Sequence, residues 1–410
     1  MAIRRLAARV WRQADLIAKD SISMRINAPA RLAVAWLTMF LVGTELFVFS
    51  PLLPVLAADY HIAPSLAGLS VTMFSLAYMV SAPLFGYFSD RIGRRRVLVC
   101  CLLAFTLANI LTAGAANLPS LLAVRLFAGA AAAGVSPSIY ALVGSAAPAD
   151  RRATWLALVV SGLLVSLAIG ASAGGLVGVL FGGSPVFLAL AGLGLVLVWL
   201  NRSVWPCDHG GAPASLDAAA RDPLAVVLLV RRLVPMVMWS TGLYGVYTYL
   251  GAGLTAVGFS TRQTAAAILF YGCGAIIGVL LGGRVADRLG ARFTASASFA
   301  GLCACLLLVR LALDAGRLVE PALGVSSAVA QLFFPAQQAG LANDFPRQRA
   351  AVLAWNNSAL FLGISLGSLV GGEAIALGSF GADLIISAGI ALAGCIINAI
   401  LVPGRRRMSR

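Results

Sequence analysis

The chain has 410 residues, of which 60% are hydrophobic and only 11% are charged. A soluble domain carries about 25% charged residues, so a soluble fold would leave this apolar excess exposed in large patches. The net charge of +15 would suit nucleic acid as a partner, but the basic residues lie between apolar runs and near the chain ends, without a basic, aromatic-bearing face. Composition therefore predicts an all-α integral membrane protein in a lipid bilayer and excludes nucleic-acid binding.

Residues 1–31 form a basic segment that we predict to be cytoplasmic. It has no apolar stretch followed by a small-residue cleavage site, so it is not predicted to be a cleavable signal peptide. Ile3, Leu6, Val10 and Ile17 recur near helical spacing, with arginines between them. This pattern favours a basic helix on the inner leaflet, and a frayed basic tail is the open alternative.

Twelve apolar runs follow, each near the ~20 residues that a helix needs to cross a bilayer core. An even number of spans puts both chain ends on one side. The Lys and Arg of the connecting segments identify that side as the cytoplasmic side of the inner (plasma) membrane. The predicted spans are residues 32–57, 66–89, 96–116, 119–146, 154–181, 184–203, 233–257, 264–287, 292–312, 318–342, 350–377 and 381–403.

One polar stretch of linker composition divides the chain. We predict an N-terminal six-helix bundle over 32–203, a cytoplasmic linker over 204–232, a C-terminal six-helix bundle over 233–403 and a cytoplasmic basic tail over 404–410. The predicted fold class is all-α, with 12 transmembrane helices in two pseudo-symmetric six-helix bundles.

The two halves repeat motifs at one fixed offset of 197 residues. An even number of spans separates the copies, so the repeat is parallel and its axis runs along the membrane normal. The repeated pairs are Gly86 and Gly283, Asp90 and Asp287, Arg91 and Arg288, Gly93 and Gly290, Gly170 and Gly367, Gly174 and Gly371, and Gly175 and Gly372.

The loop after the second span reads GYFSDRIGRRR from Gly86 to Arg96, and its second copy reads GRVADRLGAR from Gly283 to Arg292. It resembles the G-x-L-a-D-R-x-G-R-[KR] signature of the major facilitator superfamily. The resemblance implies a conformational latch on the cytoplasmic side, with glycines that let helices approach closely. A loop that only enforces topology is the alternative. The latch residues so implied are Gly86, Asp90, Arg91, Gly93, Arg94, Arg152, Gly283, Asp287, Arg288 and Gly290.

Glu45 in the first span and Arg125 in the fourth are the predicted proton-coupling residues. Charged groups inside apolar spans are costly and typical of function. Counting along the helices puts Arg125 roughly 9 Å nearer the outer face, so direct pairing needs an extended side chain or a bridging water. Two alternatives stay open: Arg125 snorkels outward, or Glu45 only holds the two spans together.

The first span, GTELFVFSPLLP from Gly43 to Pro54, resembles that of the twelve-span drug:H⁺ antiporter group, which includes arabinose- and chloramphenicol-efflux-type permeases. The fifth span resembles the G-P-x-x-G-G pattern of the antiporter branch, with Ala171 in place of the proline. Its small residues predict close packing against a partner from the other half. The helix-packing residues are Gly170, Gly174, Gly175, Gly367, Gly371 and Gly372.

Aromatic and amide groups in a midplane cavity suit a partly apolar solute with few hydrogen bonds. Each such residue alone is more typical of packing. The predicted substrate-binding residues are Glu45, Phe49, Tyr244, Tyr247, Tyr249, Trp355, Asn356, Asn357 and Phe361.

The sequence predicts a transporter and not an enzyme. Both histidines, His61 and His209, fall in loops, and the single lysine, Lys19, is not in a phosphate-binding loop. The seven cysteines lack metal-site spacing, so neither a metal nor a cofactor is expected. We expect a monomer that exports a small organic molecule against protons by alternating access. A proton-coupled importer or facilitator is the alternative, and a membrane enzyme or sensor is a remote one.

Overall fold

The computed structural model describes residues 28–148, 151–206, 223–315, 318–345 and 349–401. The predictions for the basic segment up to residue 27, for most of the linker and for the basic tail lie outside these residues.

Eight helices form six spans in the described part of the first half of the chain. They are α1 (Ala28–Phe47), α2 (Phe49–Asp59), α3 (Pro64–Ile92), α4 (Arg94–Ala113), α5 (Leu118–Ala146), α6 (Arg152–Val165), α7 (Ala171–Phe181) and α8 (Gly183–Val204). α1 and α2 follow one another as the first span. A π-helical turn, Ser166–Gly170, joins α6 and α7 into the fifth span.

Seven helices form the six spans of the second half, among the residues described there. They are α9 (Pro223–Ala256), α10 (Thr261–Leu289), α11 (Ala291–Ala315), α12 (Val319–Gln331), α13 (Phe333–Asp344), α14 (Arg349–Leu377) and α15 (Phe380–Leu401). α9 begins inside the segment predicted as linker, because proline suits a first helical turn and apolar residues follow it. The exact domain boundaries stay predictions.

The predicted number of spans agrees with the helices. Eleven helices among the described residues are long and apolar enough to cross a membrane. The tenth span is divided at Leu332 into α12 and α13, and neither piece alone has that length. Pro335 has no N–H for the Gln331 carbonyl, which weakens the helical ladder at this junction.

The internal repeat is visible in the backbone. Gly93 joins α3 to α4 with a φ of 107°, and Gly290 joins α10 to α11 with a φ of 89°. Only glycine adopts such angles without a steric penalty, which explains why glycine stands at both copies of this one-residue turn.

Equivalent helices also pack alike in the two halves. In the first half α3 and α4 pack on α5, and α4 packs on α8; in the second half α10 and α11 pack on α12, and α11 packs on α15. The halves meet where α3 contacts α14, where α2 contacts α9, and where α6, the π turn and α7 contact α10. Each half has its own buried apolar core.

The two faces of the bundle can be told apart by which helix ends lie together. Arg31 near the start of α1 donates to the Val204 carbonyl at the end of α8, and Arg292 at the start of α11 donates to Ala399 near the end of α15. We call this the terminal face, and its counterpart the opposite face. Between the two faces, large apolar side chains such as Leu180, Trp199 and Leu311 are exposed, as a lipid-facing surface requires.

Candidate functional site

Glu45 and Arg125 form a buried ion pair between the first and fourth spans. Glu45 has 0% of its surface exposed and Arg125 has 1%. Arg125 Nη1 donates directly to Glu45 Oε1. Of the two routes given above, an extended side chain or a bridging water, the contact uses the extended side chain, which covers the difference in depth that residue counting gives. Outward snorkelling of Arg125 is excluded by its burial.

The surroundings of the pair are largely aromatic. The Arg125 guanidinium carbon lies 3.9 Å from the centre of the Phe49 ring and 4.5 Å from that of Phe74. Arg125 Nε also reaches the Ser70 carbonyl at 3.5 Å. Glu45 Oε2 has no hydrogen-bond partner among the described residues. A buried carboxylate with one unused oxygen can accept a proton there without losing an existing contact.

A second contact near this site joins the two halves. Pro51 lacks the N–H that would bond to the Phe47 carbonyl within the helix. That carbonyl accepts a 2.9 Å hydrogen bond from the Tyr247 hydroxyl on α9. Pro54 likewise leaves the Ser50 carbonyl without its helical donor, and Gly251 on α9 packs closely against it. Pro51 thus frees an acceptor to which the second half donates, and Pro54 frees a carbonyl against which the second half packs.

A central cavity lies beside these contacts, between the two halves. It measures about 10 Å³, which is room for about one water molecule. The site is therefore closed to an organic substrate in this conformation. Its lining residues are Leu46, Phe47, Phe49, Ser50, Val71, Tyr244, Tyr247, Thr248 and Ile364.

The predicted substrate residues fall into different environments. Phe49, Tyr244 and Tyr247 line the central cavity, whereas Glu45 is fully buried and is not among the lining residues. Tyr249 is fully buried at the contact between α3 and α14, where its hydroxyl donates to the Ser368 carbonyl at 2.8 Å. In this conformation Tyr249 closes the interface between the halves and does not line the cavity.

The four predicted residues of the eleventh span lie nearer the terminal face. The Phe361 ring stacks on Tyr78 of α3 with 3.6 Å between ring centres. Asn357 lies in hydrogen-bonding reach of the Tyr78 hydroxyl. Asn356 is buried beside Gln337, and Trp355 is 46% exposed. Their roles in substrate binding stay predictions.

Sequence reasoning missed several buried residues. Three of them are aromatic, and each contacts the ring of a predicted substrate-binding residue. The pairs are Tyr78 with Phe361, Trp239 with Tyr244, and Tyr271 with Tyr247. Asp383 in the first turn of α15 was not predicted, because aspartate there is usually only a favourable charge at the helix terminus. It is fully buried, and its Oδ2 has no partner among the described residues. No group of three His, Cys, Asp or Glu suited to a metal occurs in the described part of the chain.

Comparison with known proteins identifies the family. The pattern of the Major Facilitator Superfamily matches residues 35–315 and 237–410. The chain belongs to the major facilitator superfamily. It is 28% identical over 396 residues to the inner membrane transport protein YdhP of Escherichia coli (strain K12), which covers 94% of this chain and 98% of that protein.

Two further comparisons agree with this assignment. A chloramphenicol resistance protein of Streptomyces lividans is 29% identical over 270 residues, covering 65% of this chain and 68% of that protein. The crystal structure of a D-xylose-proton symporter matches with a TM-score of 0.77 and 17% identity, over 91% of this chain and 98% of that one. The fold is therefore the superfamily fold of two six-helix bundles, and the protein is a membrane transporter and not an enzyme.

The superfamily loop motif occupies the terminal face. The Arg91 guanidinium carbon lies 4.3 Å from the centre of the Tyr87 ring, and Arg94 donates to the Ala141 carbonyl at 3.5 Å. Arg152, Asp287 and Arg288 are exposed. The side chain of Asp90 lies outside what the structure describes, so its part in the expected latch stays a prediction.

The motif glycines differ from the prediction in one respect. A Cβ added at Gly86 or at Gly283 would meet open space. The expected close helix approach at these two glycines is absent in this conformation, because no neighbouring helix lies against that side of α3 or α10. Gly93 and Gly290 instead serve the turns between helices.

The fifth-span glycines pack closely, but on another partner than predicted. A Cβ at Gly170 would overlap Thr44, and one at Gly175 would overlap Pro51, so α7 packs on the first span of its own half. Gly174 faces Val48 in the same way. The expectation of a partner in the other half is wrong for these glycines, since the small residues serve packing within the bundle.

The repeated glycines of the eleventh span also pack within their own half. Gly367, Gly371 and Gly372 lie against the seventh span, where added Cβ atoms would approach Thr241 O at 2.6 Å, Gly245 O at 2.9 Å and Tyr249 Oη at 2.6 Å. The close approach between the halves is made instead by Gly272 of α10 against Ala168 in the π turn.

Proposed function

We propose that this transporter exports a small, partly apolar organic molecule in exchange for protons. The observation that carries the proposal is the Glu45 carboxylate, fully buried, with Oε1 paired to Arg125 and Oε2 without a partner among the described residues. An ionised acid is costly inside a membrane, so such a group is suited to bind and release a proton during each cycle.

The pair offers a direct route from protonation to helix movement. Protonation of Glu45 cancels the charge that balances Arg125, and an uncompensated buried charge costs about 3–5 kcal/mol. Arg125 then favours a conformation that gives it water or another acceptor. Because Glu45 lies in the first span and Arg125 in the fourth, this change acts on two spans beside the central cavity.

The chemistry of the central cavity supports a partly apolar substrate. Its walls are aromatic and aliphatic, with hydroxyl groups from Ser50, Tyr244, Tyr247 and Thr248. Such a surface binds apolar groups and a small number of hydrogen-bonding groups. The relative that is named as a chloramphenicol resistance protein supports the export of an organic molecule of this kind.

We also propose that the terminal face is cytoplasmic, on the strength of its arginines. An importer or a facilitator with the same fold is the alternative function. The choice between export and these alternatives is tested by purified protein in liposomes with an imposed pH gradient and a panel of small molecules. Export predicts accumulation of substrate on the acidic side. Accumulation on the alkaline side would support a symporter, and equilibration without accumulation would support a facilitator.

A further inference from the structure

A second cavity opens at the opposite face, separate from the central one. It has a volume of about 420 Å³ and lies between α2 and α7 of the first half and the facing ends of α9 and α10 of the second. Drug-sized ligands occupy cavities of about 300–1,000 Å³. This cavity is therefore large enough for a small organic molecule.

The walls of the cavity are mainly apolar. Gly175 and Gly178 let α7 pack closely on Pro51 and Leu52 of α2. Leu176, Ala265 and Ile268 add apolar side chains to the lining. Further toward the membrane centre, Gly272 and Ala168 bring α10 against the π turn, which limits the depth of the cavity.

The polar groups of this cavity are mainly acceptors. Ser172 and Thr255 donate their hydroxyl protons to the carbonyls of Ala168 and Gly251, at 2.8 and 2.9 Å, so only their lone pairs remain for a ligand. The exposed Asp59 carboxylate adds a negative charge.

One buried hydroxyl in the lining has no partner in the described structure. Thr264 is only 7% exposed, and its Oγ1 forms no hydrogen bond with any described residue. A buried polar group without a partner is unfavourable. A ligand that brings a hydrogen-bonding group into the cavity would remove this cost.

We propose that the cavity is a second binding site, for a small, largely apolar organic cation that carries hydrogen-bond-donating groups such as aromatic amino groups. Apolar walls, acceptor oxygens and one carboxylate complement such a ligand. The site does not depend on proton coupling or on the direction of transport. Because both halves supply its walls, a ligand bound there stabilises the present arrangement of the two halves.

The test is fluorescence titration of the purified protein in lipid nanodiscs with ethidium, a planar apolar cation with two amino groups. Saturable binding to the wild type is expected. Thr264→Val removes the hydroxyl at nearly constant shape, and Asp59→Asn removes the charge. Each should weaken binding about three- to tenfold, the effect of one hydrogen bond or one weak charge contact.

One control separates this site from the rest of the protein. Thr241→Val removes a threonine hydroxyl of α9 that is outside the cavity lining, and it should leave ethidium affinity unchanged. Because Asp59 is exposed, Asp59→Asn should fold normally, and it tests the proposal even if Thr264→Val does not fold. Absence of saturable binding, unchanged affinity in both cavity variants, or an equal loss of affinity in Thr241→Val would overturn the proposal. So would a co-purified phospholipid that ethidium does not displace.

Discussion

The Tyr247 hydroxyl donates a 2.9 Å hydrogen bond to the Phe47 carbonyl, across the interface between the two halves. Pro51 leaves this carbonyl without a donor in its own helix, so the bond needs no helical contact to be broken. The contact helps to hold the first and seventh spans together next to the central cavity. It belongs to one conformation, since transport by alternating access requires the halves to separate.

Loss of this bond should shift the conformational equilibrium. In Tyr247→Phe the ring stays and the bond is lost, which removes about 1 kcal/mol from the present conformation. Pro51→Ala should shift it in the same direction, because the new N–H competes for the Phe47 carbonyl. Distances between spin labels on the opposite face should lengthen in both variants.

Tyr60→Phe is the matched control. Tyr60 donates to the Ala115 carbonyl at the same length of 2.9 Å, but within the first half. Its loss should leave the distribution of label distances unchanged. A distribution in Tyr247→Phe that also equals the wild type would mean that the inter-half bond does not stabilise this conformation.

The Glu45–Arg125 pair should be costly to break from one side only. Arg125→Gln leaves a buried carboxylate without its partner, which should destabilise the protein by about 3–5 kcal/mol. The double variant Glu45→Gln with Arg125→Gln removes both charges and should recover most of the thermal stability measured in detergent. Additive losses in the double variant would contradict a coupled pair.

Substitution of glycine by alanine should affect stability differently in the fifth span and in the loop motif. Gly175→Ala should lower thermal stability by about 1–3 kcal/mol, because the added methyl group overlaps Pro51. Gly86→Ala should leave stability unchanged or raise it, since the methyl group meets open space inside a helix. Equal effects of the two substitutions would show that the packing at α7 is less tight than described.

The proposed cytoplasmic latch predicts an effect on the transport rate and not on stability. Asp90→Asn should lower the transport rate while the protein remains folded in the membrane, because the motif acid is proposed to hold the terminal face closed. Transport assays in vesicles, with protein amounts matched by immunoblot, measure the effect. A wild-type rate in this variant would favour a motif that only fixes topology.

Much of the fold could be predicted because its signals are local. Apolar runs gave the spans, and the fixed offset between Gly93 and Gly290 gave the repeat, since each position needs the same backbone turn. Partner identity is not a local property. The glycines of the fifth span predict close packing, but the sequence does not say that the partner is the first span of the same half.

The sequence predicted part of the candidate site, again where the signal is local. Glu45 and Arg125 stand out because charges in apolar runs are rare. Their direct contact depends on helix tilt and on side-chain reach, which residue counting does not include. Asp383 was missed because its burial comes from the helices packed around it and not from its neighbours in the chain.

The most direct test of proton coupling is Glu45→Gln in proteoliposomes, with substrate exchange and pH-driven accumulation measured on the same preparation. Asp383→Asn, which alters another fully buried carboxylate, is the matched control. Our account predicts that Glu45→Gln still exchanges substrate but no longer concentrates it, while Asp383→Asn does both. Accumulation by Glu45→Gln at the wild-type rate would contradict the account.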